Sequence, residues 1–288
     1  MIKITHKEIA IGWMLLSALS FALMGAMVKL AHQVPVIEKV FFRNLITFIL
    51  MLVLIIKNKE NPFKQVGARK FLIIRSLAGL LGVILYFYAI SNMSLADSTM
   101  LNKLSPFFVM IFAGIFLKEG FSKEKIFVVI IAFIGALLII KPQFDLSIIP
   151  AIAGFLSAIF AGLAYTVVRF LKDKTSSSMI VFYFSAISVI GTLPLMIPYF
   201  VLPSPLTLLI LVAIGIFAGI GQISLTKAYH LAPASEISIY NYTSILFATL
   251  IGMAIGDSFP DITSLIGGSI IFLTAYYNYK LIRKKTTT

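Results

Sequence analysis

The sequence predicts an all-α polytopic membrane protein whose ten transmembrane helices form two inverted repeats of five. Three observations predict this fold: the composition, a series of long apolar runs, and a weak match between the two halves. Of the 288 residues, 60% are hydrophobic and only 12% are charged, and the mean hydropathy is +1.02. A soluble domain has about a quarter of its residues charged, and a single water-soluble core cannot bury this much apolar surface. Most of the chain is therefore expected to face lipid.

Apolar runs that are separated by charged residues or proline define the spans. A membrane helix needs about 20 apolar residues, so ten spans leave no room for a soluble domain. The shortest connection, residues 91–94, separates the third span from the fourth. The predicted spans are 11–31, 37–56, 71–91, 95–117, 126–141, 148–169, 179–201, 205–227, 233–255 and 262–280.

Basic residues are concentrated on one side of this arrangement. The connections opposite to the basic ones contain little beyond Lys39 and Lys141, so the positive-inside rule predicts cytoplasmic termini in a cell (inner) membrane. The formal charge of +13 is then explained by topology and by the lipid bilayer, and no nucleic-acid partner is expected. The basic connections carry Lys57, Lys59, Lys64, Arg69, Lys70, Lys118, Lys123, Lys125, Arg169, Lys172 and Lys174.

Motifs for catalysis, metals and cofactors are not found in the sequence. The chain has no cysteine, no HExxH motif and no GxxxxGK[ST] phosphate loop. Its three histidines, His6, His32 and His230, are far apart in the sequence. We therefore expect neither an enzyme nor a protein with a metal or cofactor.

The two halves match weakly at an offset of 139 to 140 residues. Lys29 aligns with Arg169, and Asn102 with Asn241. The predicted units are residues 1–145 and 146–288. Because each unit has five spans, an odd number, the second copy must enter the membrane from the opposite side. Inverted repeats of this kind form a central cavity that opens to either side in turn, which favours a transport function.

Two matching segments resemble a known family. They are Ala89-Ile-Ser-Asn-Met-Ser-Leu-Ala96, which continues through Leu-Ser-Pro106 to Leu-Lys-Glu119, and Ala228-Tyr-His-Leu-Ala-Pro-Ala-Ser-Glu236. They are similar to the signature regions of drug/metabolite transporters of the EamA type, with Asp257 in place of the usual glutamate after the ninth span. The resemblance implies ten helices in two inverted repeats, a cavity formed mainly by spans 1, 3, 4, 6, 8 and 9, and secondary transport of small metabolites.

Lys103 is the most distinctive ionisable residue inside a span. It lies eight residues into the fourth span, about 12 Å along a helix at 1.5 Å per residue. Charged groups at such depth are costly and commonly functional. Lys103 is thus a candidate for binding a carboxylate or phosphate, or for a structural ion pair with Asp97 or Glu236.

Other polar residues occur at helical spacing. Ser98, Asn102 and Ser105 form a stripe on the fourth span, which either faces a cavity or makes hydrogen bonds between helices. On the ninth span, Glu236, Tyr240 and Thr243 share a face, with Asn241 beside it. Glu236 could bind a cationic group, take up a proton coupled to transport, or cap its helix.

Aromatic and basic residues complete the set of candidates. Tyr86 and Tyr165 lie on spans that the family uses for its cavity and could stack on a ligand. Arg43 and Arg75 lie just inside their spans, so they are interpreted first as interfacial anchors and second as anion-binding groups.

The predicted function is secondary active transport by alternating access. The expected substrate is a zwitterionic or anionic small molecule such as an amino acid, vitamin or nucleoside derivative. Its own gradient or protons would drive an exporter or exchanger, working as a monomer or weak dimer. The alternatives are a lipid-intermediate flippase of the same fold and a membrane scaffold without transport.

Overall fold

A computed structural model describes residues 6–65, 67–116, 123–141, 146–171, 174–232 and 237–287. These residues form eleven α-helices and four short 3-10 helices, and no strand occurs among them. The α-helices are α1 (His6–Leu30), α2 (Val36–Lys57), α3 (Arg69–Asn92), α4 (Leu95–Asn102), α5 (Ser105–Phe116), α6 (Lys123–Ile140), α7 (Ile149–Leu171), α8 (Ser177–Met196), α9 (Pro205–Leu231), α10 (Thr243–Ala254) and α11 (Ile262–Thr287).

The structure is that of a polytopic membrane protein. Seven helical segments are long and apolar enough to cross a membrane, and Ile126–Ile140 and Ile239–Ala254 are shorter apolar segments. Large apolar side chains cover the outside of the bundle; Ile56, Ile190 and Leu209 are each about two-thirds exposed. Such a surface is stable against lipid and unfavourable in water. The predicted helical membrane class is confirmed.

The fourth span, predicted as one helix over residues 95–117, is divided into α4 and α5. Pro106 has no backbone N–H, so it cannot bond the carbonyl of Asn102 and the helix breaks there. The chain turns through Lys103 and Leu104, where the Leu104 amide donates to the Leu101 carbonyl at 3.0 Å. The ninth span is also divided, because the 3-10 segment Ser238–Tyr242 precedes α10. Residues 233–236 of that span lie outside the described residues.

Each half of the chain packs mainly against the other half. Helix α1 lies along α9, α3 along α7, α2 against α8, and α6 against α11. The α6–α11 contact is close: a Cβ atom on Gly135 would lie 2.8 Å from the carbonyl oxygen of Gly267. Because no side chain fits between these backbones, the two glycines set the distance between the helices.

The end of the bundle where α1 passes to α2 is called here the α1–α2 end, and it is held by an ion pair whose carboxylate is buried. Lys29 of α1 lies 2.6 Å from a carboxylate oxygen of Asp257, whose side chain is only 8% exposed. The other oxygen of Asp257 accepts a hydrogen bond from the Leu95 amide at 2.7 Å. Lys29 also donates to the Met93 carbonyl at 2.9 Å. One carboxylate therefore connects α1, the start of α4 and the end of α10.

Local backbone geometry places Asp257 at that position. Helix α10 ends in a Schellman motif, in which the Gly256 amide donates to Met253 and the Asp257 amide to Gly252. Gly256 has a φ of +84°, which L side chains rarely adopt. The glycine thus turns the chain so that the next carboxylate points back towards α1.

Candidate functional site

A cavity of about 130 Å³ lies between the two halves, and both contribute to its wall. One water molecule needs about 10–15 Å³ of accessible volume, so the cavity admits a ligand of several heavy atoms. Its polar and aromatic lining comes from α1–α5, α7–α10 and the 3-10 segment before α10. This lining includes Phe21, Arg43, Arg75, Tyr86, Thr99, Asn102, Lys103, Ser105, Tyr165, Phe184, Gln222, Asn241 and Ser244.

Lys103 lies at the break between α4 and α5, and its ammonium group reaches the other half of the chain. It donates a hydrogen bond to the side-chain oxygen of Asn241 at 3.0 Å. The carbonyl of Lys103 accepts from the Tyr242 hydroxyl at 3.2 Å. The two interrupted segments are therefore joined at the cavity wall. The alternative ion pair between Lys103 and Asp97 is not formed, and Glu236 lies outside the described residues.

Arg43 and Arg75 meet over a single aromatic ring. Their guanidinium carbons lie 5.0 Å and 4.1 Å from the centroid of Phe184, and each arginine is only 4% exposed. Gly79 makes room for this arrangement, since a Cβ there would lie 2.9 Å from the Phe184 ring. The two cations come from helices that begin at opposite ends of the bundle, so they meet well inside it.

The hydrogen-bonding capacity of these arginines is largely unused. The Nη1 group of Arg43 donates to Asn44 at 2.6 Å. The Nε group of Arg43 and the Nε and Nη1 groups of Arg75 are buried and have no partner among the described residues. Buried polar groups without partners are rare because each costs free energy. Here they belong to charged groups that line a cavity, which points to a ligand as their partner.

Polar contacts of the two tyrosines and of Asn102 complete the wall. The Tyr86 hydroxyl lies 3.1 Å from the Thr99 hydroxyl. Asn102 donates to Ser157 of α7 at 3.1 Å, so it both lines the cavity and bonds between helices. Tyr165 is 40% exposed and lies within electrostatic range of both arginines. The ring faces supply apolar contacts, and the hydroxyl groups can bind a polar ligand.

The cavity is strongly positive. Three cationic side chains line it, and none of its described lining residues is acidic. The hydrogen-bond acceptors that the described residues offer to these cations are neutral amide oxygens, those of Asn44 and Asn241. This arrangement favours an anion over a cation by simple electrostatics.

The structure brings together six of the ten predicted site residues at this cavity. They are Tyr86, Asn102, Lys103, Ser105, Tyr165 and Asn241. Three others lie elsewhere, and Glu236 falls outside the described residues. Ser98 is fully buried and donates back to the Leu95 carbonyl of its own helix. The neighbouring Thr99 lines the cavity where Ser98 was predicted to do so.

Tyr240 and Thr243 are also not part of the cavity lining. Tyr240 packs on the cluster that contains Met14 and Leu225. The hydroxyl of Thr243 donates to the Tyr240 carbonyl at 2.6 Å. A 3-10 helix aligns side chains three residues apart, so the segment Ser238–Tyr242 is compatible with the predicted common face of Tyr240 and Thr243. Neither side chain lines the cavity.

Arg43 and Arg75 lie at the cavity and not at the membrane interface, where the sequence first placed them. Their positions near the predicted span ends favoured interfacial anchors, but the structure buries both at the cavity. One signal was available: neither residue has an acid within one helical turn in the sequence. The shared ring of Phe184, more than a hundred residues away, could not be foreseen from that spacing.

Comparison with known proteins identifies related chains. The profile of the EamA-like transporter family matches residues 8–141 and again residues 148–279. The pseudopaline exporter CntI of Pseudomonas aeruginosa is 34% identical over 259 residues, which cover 89% of this chain and 90% of the exporter. The S-adenosylmethionine uptake transporter of Rickettsia conorii is 28% identical over 271 residues, covering 93% of this chain and 91% of that protein.

More distant similarity extends to a human protein and to a crystal structure. Human solute carrier family 35 member G1 is 27% identical over 276 residues, which cover 89% of this chain and 74% of the carrier. A solved structure with 16% sequence identity superposes with a TM-score of 0.64 and covers 97% of this chain and 98% of its own. At that identity the structural match supports the fold alone.

Proposed function

The chain belongs to the EamA-like transporter family, and from this premise we propose that it is a secondary transporter of small anionic or zwitterionic metabolites that works by alternating access. The observation that carries the proposal is the positive cavity between the two halves of the bundle. A buried site that both halves line can be exposed to either side when one half moves against the other.

The proposed architecture is ten spans in two inverted repeats. The family profile matches the chain twice, over residues 8–141 and 148–279, which supports a duplicated unit. The pairing of each helix with one from the other half agrees with an axis that relates the units. In this arrangement α4 and α5 together make the fourth span, and the 3-10 segment with α10 makes the ninth.

We place the protein in the inner membrane of the cell, with both termini in the cytoplasm. The connection after α2, which carries Lys57, Lys59 and Lys64, then faces the cytoplasm as the positive-inside rule requires. The α1–α2 end, with the Lys29–Asp257 ion pair, then faces outward.

Export or exchange is the proposed direction. A relative of similar length is named an exporter, whereas another is named an uptake transporter, so the assay must test both directions. The proposed driving force is the gradient of the substrate or of protons. Glu236 is the candidate proton carrier, and Glu236→Gln would then transport without response to a pH gradient.

Transport is tested with the full chain in proteoliposomes. Counterflow of a labelled metabolite that stabilises the purified protein is expected in wild type and lost in Lys103→Met. A surface variant such as Lys280→Met should transport normally, since Lys280 is exposed, lies outside the cavity and stacks on Tyr276. Binding without flux in either direction would contradict the proposal.

Topology is tested in the same protein without background mutations, because the chain contains no cysteine. Single cysteines at Leu202 and Lys64 lie in exposed connections at opposite ends of the bundle. In intact cells, an impermeant maleimide is expected to label Leu202→Cys and not Lys64→Cys. The reverse pattern would overturn the proposed orientation.

A further inference from the structure

We propose that the transported molecule carries at least two negative charges, in carboxylate or phosphate groups, and that Arg43, Arg75 and Lys103 bind these groups. This inference rests on the proposed function, because it assigns the transported substrate to the cavity. It goes further by stating the charge of that substrate and which side chains neutralise it.

The first argument is the charge balance of the cavity. A buried cation is stable when an opposite charge and hydrogen bonds compensate its lost hydration. Lys29 at the α1–α2 end has such a partner in Asp257. The three cavity cations have no carboxylate partner in the described part of the chain. A bound monoanion would leave two of these charges uncompensated, whereas a dianion or trianion balances most or all of them.

The second argument is the geometry of the arginine pair. Phe184 holds both guanidinium groups within 5.0 Å of its ring centroid, close enough for the like charges to repel. Three buried N–H groups of this pair have no acceptor in the described chain. Carboxylate and phosphate oxygens match guanidinium groups as bidentate acceptors. An oxyanion at this position would remove the repulsion and satisfy the unpaired donors together.

The third argument is the state of Lys103. An ammonium group has three donors, and the Lys103 group uses one of them on the neutral oxygen of Asn241. It comes from the break between α4 and α5, whereas the arginines come from α2 and α3. The cavity therefore offers two separate attachment points for negative charge, one at Phe184 and one at Asn241.

The test is thermal unfolding of the purified full chain in detergent at constant ionic strength. The probes are acetate, glycine, succinate, citrate, inorganic phosphate and putrescine, each at about 10 mM. Succinate, citrate or phosphate is expected to raise the melting temperature by about 2–4 °C, and the other three compounds by less than a quarter of that shift. A response to the carboxylates alone or to phosphate alone identifies the anionic group.

Variants locate the effect. Arg75→Met and Lys103→Met are expected to lose the shift, and Lys280→Met, a cation stacked on Tyr276 outside the cavity, keeps it. Arg75→Lys retains the charge without the planar guanidinium group. In this variant, the anion concentration that gives half of the maximal shift is expected to rise at least tenfold. If the methionine variants do not fold, the comparison of probes on wild type and this lysine variant still decides the question.

Several outcomes overturn the inference. The first is equal stabilisation by acetate and succinate. The second is no stabilisation by succinate, citrate or phosphate. The third is an unchanged response in Arg75→Met. The proposed function fails separately: a dianion that binds through the arginines but shows no counterflow in proteoliposomes contradicts transport and leaves the charge assignment intact. Transport of a neutral or cationic compound alone contradicts the charge assignment and leaves transport intact.

Discussion

Two regions of this bundle differ in how their cations are compensated. At the α1–α2 end, Lys29 lies 2.6 Å from Asp257, and the same carboxylate also accepts the Leu95 amide. In the cavity, Arg43 and Arg75 share the ring of Phe184 and leave three N–H groups without partners in the described chain. Lys29 thus has a carboxylate partner, and the arginine pair has none in the described chain.

Under the proposed function, the difference separates a structural charge from one that binds substrate. Removal of one partner of an ion pair with a buried carboxylate leaves the other group uncompensated, which destabilises the protein. A buried cation without an anion raises the free energy of the empty protein and lowers it again when an anion binds. The four predictions that follow test this contrast, beginning with the largest expected effect.

Removal of the carboxylate at the α1–α2 end should cause the largest loss of stability. Asp257→Ala leaves the Lys29 ammonium and the Leu95 amide without their acceptor, and we expect unfolding free energy to fall by about 3 kcal/mol. Thermal unfolding in detergent measures this change. Lys141→Ala is the matched control, because it removes the exposed Lys141–Asp261 ion pair, which should contribute less than about 1 kcal/mol. Equal losses in the two variants would contradict the contrast.

Removal of a cavity cation should have the opposite sign. Arg75→Met replaces an uncompensated buried charge by an apolar side chain, and we expect the ligand-free protein to gain about 1 kcal/mol of stability. The same substitution at the paired cation, Lys29→Met, should destabilise the protein because it leaves Asp257 unpaired. Unfolding of both variants without added anions measures the difference. A destabilised Arg75→Met would indicate that Arg75 is structural.

The turn that positions Asp257 should also be sensitive, though less so. Gly256→Ala forces a side chain into the left-handed region at φ +84°, which should cost about 1 kcal/mol. Gly12→Ala is the control, since a Cβ there meets no atom within 4 Å and alanine favours a helix. Their melting temperatures should therefore move in opposite directions.

The smallest effect is expected from pH at the exposed ion pair. The hydrogen bonds from Lys141 and from the Ser264 amide hold the pKa of the Asp261 carboxyl well below its ordinary value. Because this pKa is lowered by folding, the carboxyl stabilises the protein above its unfolded pKa, about 3.9, and loses that contribution as pH falls further. The difference in melting temperature between wild type and Asp261→Asn should be constant from neutral pH to about pH 5 and shrink below about pH 4. High salt should reduce it as well.

Much of the fold followed from the sequence because lipid imposes a simple requirement. Each crossing segment needs about 20 apolar residues with its backbone bonded internally, and the predicted spans show that pattern. Departures occur where proline or a 3-10 segment interrupts the helix, at Pro106 and at Ser238–Tyr242. Both breaks lie at the cavity, so the local irregularities coincide with the candidate site.

Sequence alone determined the membrane class, the helical content and the selection of Lys103 as a candidate, because burial of apolar surface and the cost of an intramembrane charge are properties of short segments. Tertiary structure decided which charges are paired. Lys29 finds Asp257 across more than 200 residues, and Arg43 and Arg75 meet at Phe184 instead of reaching the interface. Electrostatic compensation depends on distance in space, and helix packing between the two halves sets that distance.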